Sequence, residues 1–185
     1  MCPSAQEHDS RDNVTQVQNL LGEKWGQKAD EAMIQRCLRA DRGNVEKCTQ
    51  RIIKTLEWRQ TMIPSPLVCR ACAKDHTSHY LHQVGFDKIG RPVIYSVFNM
   101  ATDMNPAENV QHMIHCFEHA ISVMAPKLEQ QQWVWVSDFS GFGMKNLNPS
   151  IALEANTLFG TYYPERLGAF ILVRGRFIED IIHSS

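Results

Sequence analysis

The chain has 185 residues, 43% of them hydrophobic, and its 19 basic and 20 acidic side chains leave a formal net charge of −1. That length suits one domain with a sizeable core, and the charge balance argues against a nucleic-acid partner. No apolar run reaches the roughly 18 residues that would suggest a membrane span, and the N-terminus lacks a basic stretch followed by an apolar one, so neither a spanning helix nor a secretory leader is expected.

The six cysteines (Cys2, Cys37, Cys48, Cys69, Cys72 and Cys116) are scattered among apparent helices. In a chain without a secretory leader this favours free thiols in a reducing, cytoplasmic compartment.

Residues 1–28 read as a polar, partly disordered leader in which Val14 to Leu21 suggests a short helix. A helical module is expected over 29–60. Its first helix pairs Met33 with Cys37 and Ile34 with Leu38, and Gly43 can end it. Asn44 is a suitable cap for a second helix carrying Val45, Cys48, Ile52 and Leu56 on one stripe. Pro64 and Pro66 mark 61–67 as a linker.

A larger segment, 75–185, alternates strands and helices. Strands are expected near 79–86 and at 92–98, joined by a turn at Asp87-Lys88-Ile89-Gly90, with Pro92 at a strand start. A helix over about 107–125 places Val110, Met113, Ile114, Phe117, Ile121 and Met124 in one core-facing sector. Strand 133–138, a glycine-rich loop, a helix opened by Asn148-Pro149 and strand 169–173 complete the pattern. This is an α/β layer architecture whose strands are apolar on both faces and therefore covered on both.

Two sets of residues suggest metal chemistry. Cys69-Arg70-Ala71-Cys72 with His76, His79 and His82 has the ingredients of a zinc site, but the gap to the first histidine is short, and His79 and His82 fall on opposite faces of a strand. Cys69 and Cys72 are read instead as packing cysteines. His112, His115 and His119 fall opposite the apolar stripe of their helix, on its solvated side. No metal site and no cofactor are expected. The sequence also lacks a nucleophile elbow, a phosphate-cradling loop and a dinucleotide fingerprint, so no enzymatic activity is expected. The aromatic-rich strands, with Tyr95, Phe98, Trp133, Trp135 and Phe139, suit either a packed core or an apolar pocket.

Three segments, in order, resemble the CRAL-TRIO lipid-binding family. Cys37-Leu38-Arg39-Ala40 through Val45-Glu46-Lys47 to Leu56-Glu57-Trp58-Arg59 resembles its small N-terminal helical module. Gly85-Phe86-Asp87-Lys88-Ile89-Gly90-Arg91-Pro92-Val93 is similar to its hairpin. Asp138-Phe139-Ser140-Gly141-Phe142 with Tyr163-Pro164-Glu165-Arg166-Leu167-Gly168 resembles its most distinctive motif.

The resemblance implies a helical module followed by a mixed sheet with helices on one face and a lipid pocket on the other. It implies non-enzymatic binding, and intermembrane transfer, of a phosphoinositide or similar lipid by a cytoplasmic protein that meets membranes transiently. By the same resemblance, Glu165 and Arg42 contact the headgroup, while Tyr95, Val97, Trp135 and Phe139 are the tail-contact candidates. Which strand face lines the pocket is left open, because a shift of one residue exchanges the faces.

The chain departs from the family pattern after Val173. The turn that usually follows, the gate helix, the last strand and a downstream lysine have no counterpart, so an incomplete domain is expected. The alternative is a protein-interaction module of the same fold without lipid cargo, docking a partner on an open sheet edge.

Overall fold

Three helices with short, well-defined breaks begin the chain. The computed structural model describes residues 5–63, 67–125 and 131–174. The chain divides into two compact units, one made of the chain through residue 64 together with Phe159–Glu165, the other of the remainder.

The first unit contains α1 (Ala5–Gly26), α2 (Glu31–Ala40) and α3 (Val45–Met62). Asp30 caps α2 by accepting the Met33 N–H, and Asn44 caps α3 by accepting the Lys47 N–H at 2.9 Å. Between them the chain turns through Gly43, whose φ of 79° lies where a side chain is strained, and the Gly43 N–H closes α2 on the Leu38 carbonyl. The core joins Val17, Leu21 and Trp25 of α1 to Ile34, Cys37 and Leu38 of α2 and Cys48, Ile52 and Leu56 of α3. α1 begins well before the short helix expected over Val14 to Leu21 and is broken just after Leu21 by Gly22, whose φ of 61° is non-helical, and its apolar residues belong to the helical core. Their sparse spacing obscures the helix in the sequence, because tertiary packing rather than local pattern stabilises it.

The second unit contains α4 (Arg70–Lys74), β1 (Leu81–Phe86), β2 (Pro92–Val97), α5 (Pro106–Ser122), β3 (Trp133–Asp138), α6 (Pro149–Thr157) and β4 (Leu167–Val173). The strands form one sheet in the order β1-β2-β3-β4. β1 and β2 are an antiparallel hairpin, and β3 and β4 add in parallel. The hairpin turn is fixed by Asp87, whose carboxylate accepts the N–H groups of Ile89 and Arg91 and the Arg91 Nε–H, while Gly90 supplies a φ of 88°. Asn105 and Asn148 cap α5 and α6, each followed by proline in the first turn.

α5 packs on β1 and β2. Its buried residues are His112, Met113, Ile114, Cys116, Phe117 and Ala120. The expected apolar stripe is correct at Met113, Ile114 and Phe117, but the buried sector is rotated and wider. The expectation of three solvated histidines is corrected: His112 is 4% exposed, His115 is half-buried and only His119 is exposed. The cause is contact with two neighbours. One side of α5 meets the sheet, and its flank at His112 meets Cys72 of α4 and the Leu81 carbonyl of β1.

Candidate functional site

Alternation along β2 divides the sheet into two unlike faces. Pro92, Ile94 and Ser96 are buried, while Val93, Tyr95 and Val97 are only half-buried. Strand register extends this division: Ile94 lies beside Trp135 and Ser96 beside Ser137, whereas Tyr95 lies beside Val136 and Val97 beside Asp138. On the packed face the Phe117 ring of α5 stacks on Trp133 at 5.1 Å and meets Trp135 edge-on at 5.9 Å. The two serines there are satisfied internally. Ser96 and Ser137 hydroxyls share a hydrogen bond of 2.8 Å, and the Trp135 indole N–H donates to Ser96 Oγ at 2.9 Å.

The usual polarity of a half-covered sheet is thus reversed in β2. The serine hydroxyls lie with Ile94 in the packed interior, and Val93, Tyr95 and Val97 line the face that is less covered. In β4 the exposed side chains divide between the faces: Ile171, 46% exposed, lies beside Val136 on the less covered face, whereas Phe170 and Leu172, 49% and 46% exposed, lie beside Trp135 and Ser137 on the other. Val93, Tyr95, Val97, Val136 and Ile171 thus form a partly covered row on one face, the kind of surface that a ligand or partner can complete.

A group of polar side chains gathers at the C-terminal ends of β2 and β3. Tyr95 donates its hydroxyl hydrogen to Asp138 at 2.8 Å. The same carboxylate accepts the Ser140 hydroxyl and the Ser140 N–H, and pairs with Arg174. The Ser140 hydroxyl first, then the Ser140 N–H, holds the Asp138 carboxyl down at about 2 against an ordinary 3.8. The hydrogen bond to this carboxylate raises the Tyr95 phenol. Above the strand ends, Phe98, Phe139 and Phe142 form an aromatic cluster, with Phe139 5.5 Å from Phe98 and 5.0 Å from Phe142.

A depressed carboxyl pKa contributes stability that is present above pH 3.8 and lost as pH falls through about 2. The stability difference between the native chain and Asp138→Asn is therefore expected to shrink over that interval. Urea denaturation at pH 7, 4 and 2.5 measures it, and a pH-independent difference would exclude the carboxylate as its source.

The tail candidates separate by face. Tyr95 and Val97 share the apolar face, Trp135 lies on the packed face against Phe117, and Phe139 belongs to the aromatic cluster at the strand ends. The headgroup candidates Arg42 and Glu165 both belong to the helical unit and are both exposed. Each adopts a left-handed backbone, with φ of 54° and 59°, a conformation uncommon for such residues. Arg51 joins their segments: its guanidinium pairs bidentately with Asp41 at 2.7 Å and donates to the Gly160 carbonyl. Beside it, Lys47, Arg51, Lys54 and Thr161 line a cleft of 370 Å³. Sequence reading missed this cleft, although Lys47, Arg51 and Lys54 recur at helical spacing on α3.

The arrangement defines an α/β domain whose sheet is packed against α5 on one face and only partly covered at Val93, Tyr95, Val97 and Ile171 on the other. The CRAL/TRIO domain model matches residues 76–177, and the chain belongs to that family, which is generally associated with lipid binding and is typically non-enzymatic. A CRAL-TRIO domain-containing protein of Schizosaccharomyces pombe is 28% identical over 153 residues, an alignment covering 77% of this chain and 34% of that relative. The chain thus spans about a third of the length of that curated relative. The crystal structure of Sfh5 matches all of this chain and 77% of its own, with a TM-score of 0.70 and 16% identity, and so shares the fold. No helix among the described residues is long and apolar enough to cross a membrane. The expected loss of the gate helix and last strand concerns a stretch, 175–185, that lies outside the described residues.

Proposed function

We propose that the domain binds a phosphoinositide or a similar lipid without chemical conversion, with acyl chains against the sheet face of Tyr95 and Val97, and passes it between membranes. The observation that carries this reading is the reversed polarity of β2, where serine is packed inside and Val-Tyr-Val is left half-covered. Burying such side chains against a hydrocarbon is favourable by about 25 cal/mol per Å². Glu165 and Arg42 remain the headgroup candidates: a carboxylate accepts inositol hydroxyls, and a guanidinium pairs with phosphate. Their left-handed backbones support a special role, since such conformations cost about 1–3 kcal/mol and cluster at ligand sites. The cell compartment that fits is the cytoplasm, with transient membrane contact.

Val97→Asp tests the reading, because it places a charge on the apolar face without touching the Phe117 contacts. Binding of a phosphatidylinositol with a fluorescent acyl chain is expected to weaken at least tenfold while circular dichroism is retained. Unchanged binding by the folded variant would exclude this face as the tail site.

A second reading, a protein-interaction module, draws on the exposed side chains of β4, the last strand in the sheet order. A folded chain that binds no lipid but captures an extended peptide along β4 would favour it.

A further inference from the structure

Away from the sheet face, the second unit gathers two thiols and two imidazoles from three separate segments. Cys69 caps α4, and its Sγ accepts the Cys72 N–H at 3.4 Å. Cys72 Sγ lies 3.4 Å from His79 Nδ1 and 3.5 Å from His112 Nδ1, and Cys69 Sγ lies 3.6 Å from His79 Nδ1. One ligand atom from each of the four residues falls within 4.8 Å of all the others, with Cys72 half-buried and the other three buried.

We propose that Cys69, Cys72, His79 and His112 form a tetrahedral zinc site that staples α4 and the segment before β1 to α5. With Zn–S near 2.3 Å and Zn–N near 2.0–2.1 Å, tetrahedral angles put sulfur and nitrogen ligands about 3.5–3.6 Å apart. The three sulfur–nitrogen distances match that edge. Closing the widest separation requires a shift of only about 1 Å toward a common centre.

Hydrogen-bond chemistry supports the same donor set. His112 Nε2 lies 2.8 Å from the Leu81 carbonyl, which accepts only, so Nε2 carries the proton and the Nδ1 lone pair faces Cys72. A ring held this way, with its second nitrogen donating to a backbone carbonyl, is the usual setting of a metal-bound histidine. Two thiol protons, Cys69 toward His79 and Cys72 toward His112, could serve the two ring nitrogens pairwise, so it is the convergence of all four ligand atoms on one point that favours a cation. A cation engages all four ligands at once. Cys116 is not a ligand: its thiol donates to the Leu81 carbonyl at 3.0 Å, on the Nε2 side of His112.

The expectation that Cys69 and Cys72 merely pack rested on the short gap to the first histidine, His76, and on placing His79 inside a strand. His79 instead lies ahead of β1, buried, with its ring stacked 4.4 Å from that of His112. A cleft of 440 Å³ lined by Val68, Cys72, His82, His112 and His115 reaches the cluster and provides an entry path.

The test is elemental analysis of the 185-residue chain purified without chelator and dialysed against zinc, then against buffer. About one zinc per chain is expected, falling at least tenfold in Cys72→Ser and in His112→Gln. Chelation is expected to lower Tm by about 5–10 °C, since an ion held by the native state alone stabilises it. Should the variants fail to fold, X-ray absorption at the zinc edge of the native chain is expected to give a shell of two sulfurs and two nitrogens. Less than a tenth of a zinc per folded native chain, zinc retained by both folded variants, or a shell without sulfur would each overturn the site.

Discussion

Replacing Phe117 by alanine is expected to destabilise the chain by about 3–5 kcal/mol, the usual cost of emptying a buried aromatic site. Phe117 is fully buried and is the ring through which α5 meets both Trp133 and Trp135. Its loss removes the stack on Trp133 and leaves a cavity that neither rigid indole can fill. Against a typical total stability of about 5–15 kcal/mol, such a loss is a large fraction. Phe117→Leu retains most of the volume and is expected to cost markedly less. Urea denaturation of the two variants measures both, and equal small losses would mean that α5 is held to the sheet by other contacts.

Arg51→Leu is expected to cost about 2–3 kcal/mol, near the lower end for breaking a buried pair because the guanidinium is partly exposed. The Asp41 side chain is 8% exposed and the Arg51 side chain 22% exposed, so the substitution leaves a carboxylate with little solvent and removes the donor to the Gly160 carbonyl. Asp41→Asn alone should also destabilise, while the double variant should lose less than the sum of the two, because the second change removes the stranded charge. Strict additivity in a double-mutant cycle would mean that the pair contributes nothing beyond its separate parts. The result bears on function, since Arg51 ties the segment after Gly160, which leads to Glu165, to the turn that carries Arg42.

Local signals in the sequence located most elements. Asn44 and the Asn148-Pro149 pair mark helix starts through side-chain caps, and Asp87 to Gly90 marks a hairpin through an acceptor carboxylate and a glycine; each operates within a few residues of the chain. The orientation of α5 about its axis was only partly readable. Helical periodicity finds the stripe that meets one surface, whereas α5 meets the sheet on one side and α4 on another, so His112 is buried where a single-surface reading leaves it in water.

The face of β2 was unreadable for a related reason. PVIYSV is apolar on both alternations, so local pattern leaves its inward face open, and Ser96 proves to be the inward residue because Ser137 and the Trp135 indole satisfy it in the interior. Buried serines become legible only when their partners, distant in sequence, are in place. The same limit applies to the four zinc ligands. Cys69 and Cys72 are a local pair, but His112 reaches them only through the path of α5 across the sheet.

Native mass spectrometry with lipid extraction, on the 185-residue chain purified from cells, tests most directly whether the apolar face holds a lipid. A complex retaining about one phospholipid per chain is expected, identified in the extract and lost in Val97→Asp. A folded native chain that carries no lipid, and takes up none when offered phosphatidylinositol vesicles, would contradict it.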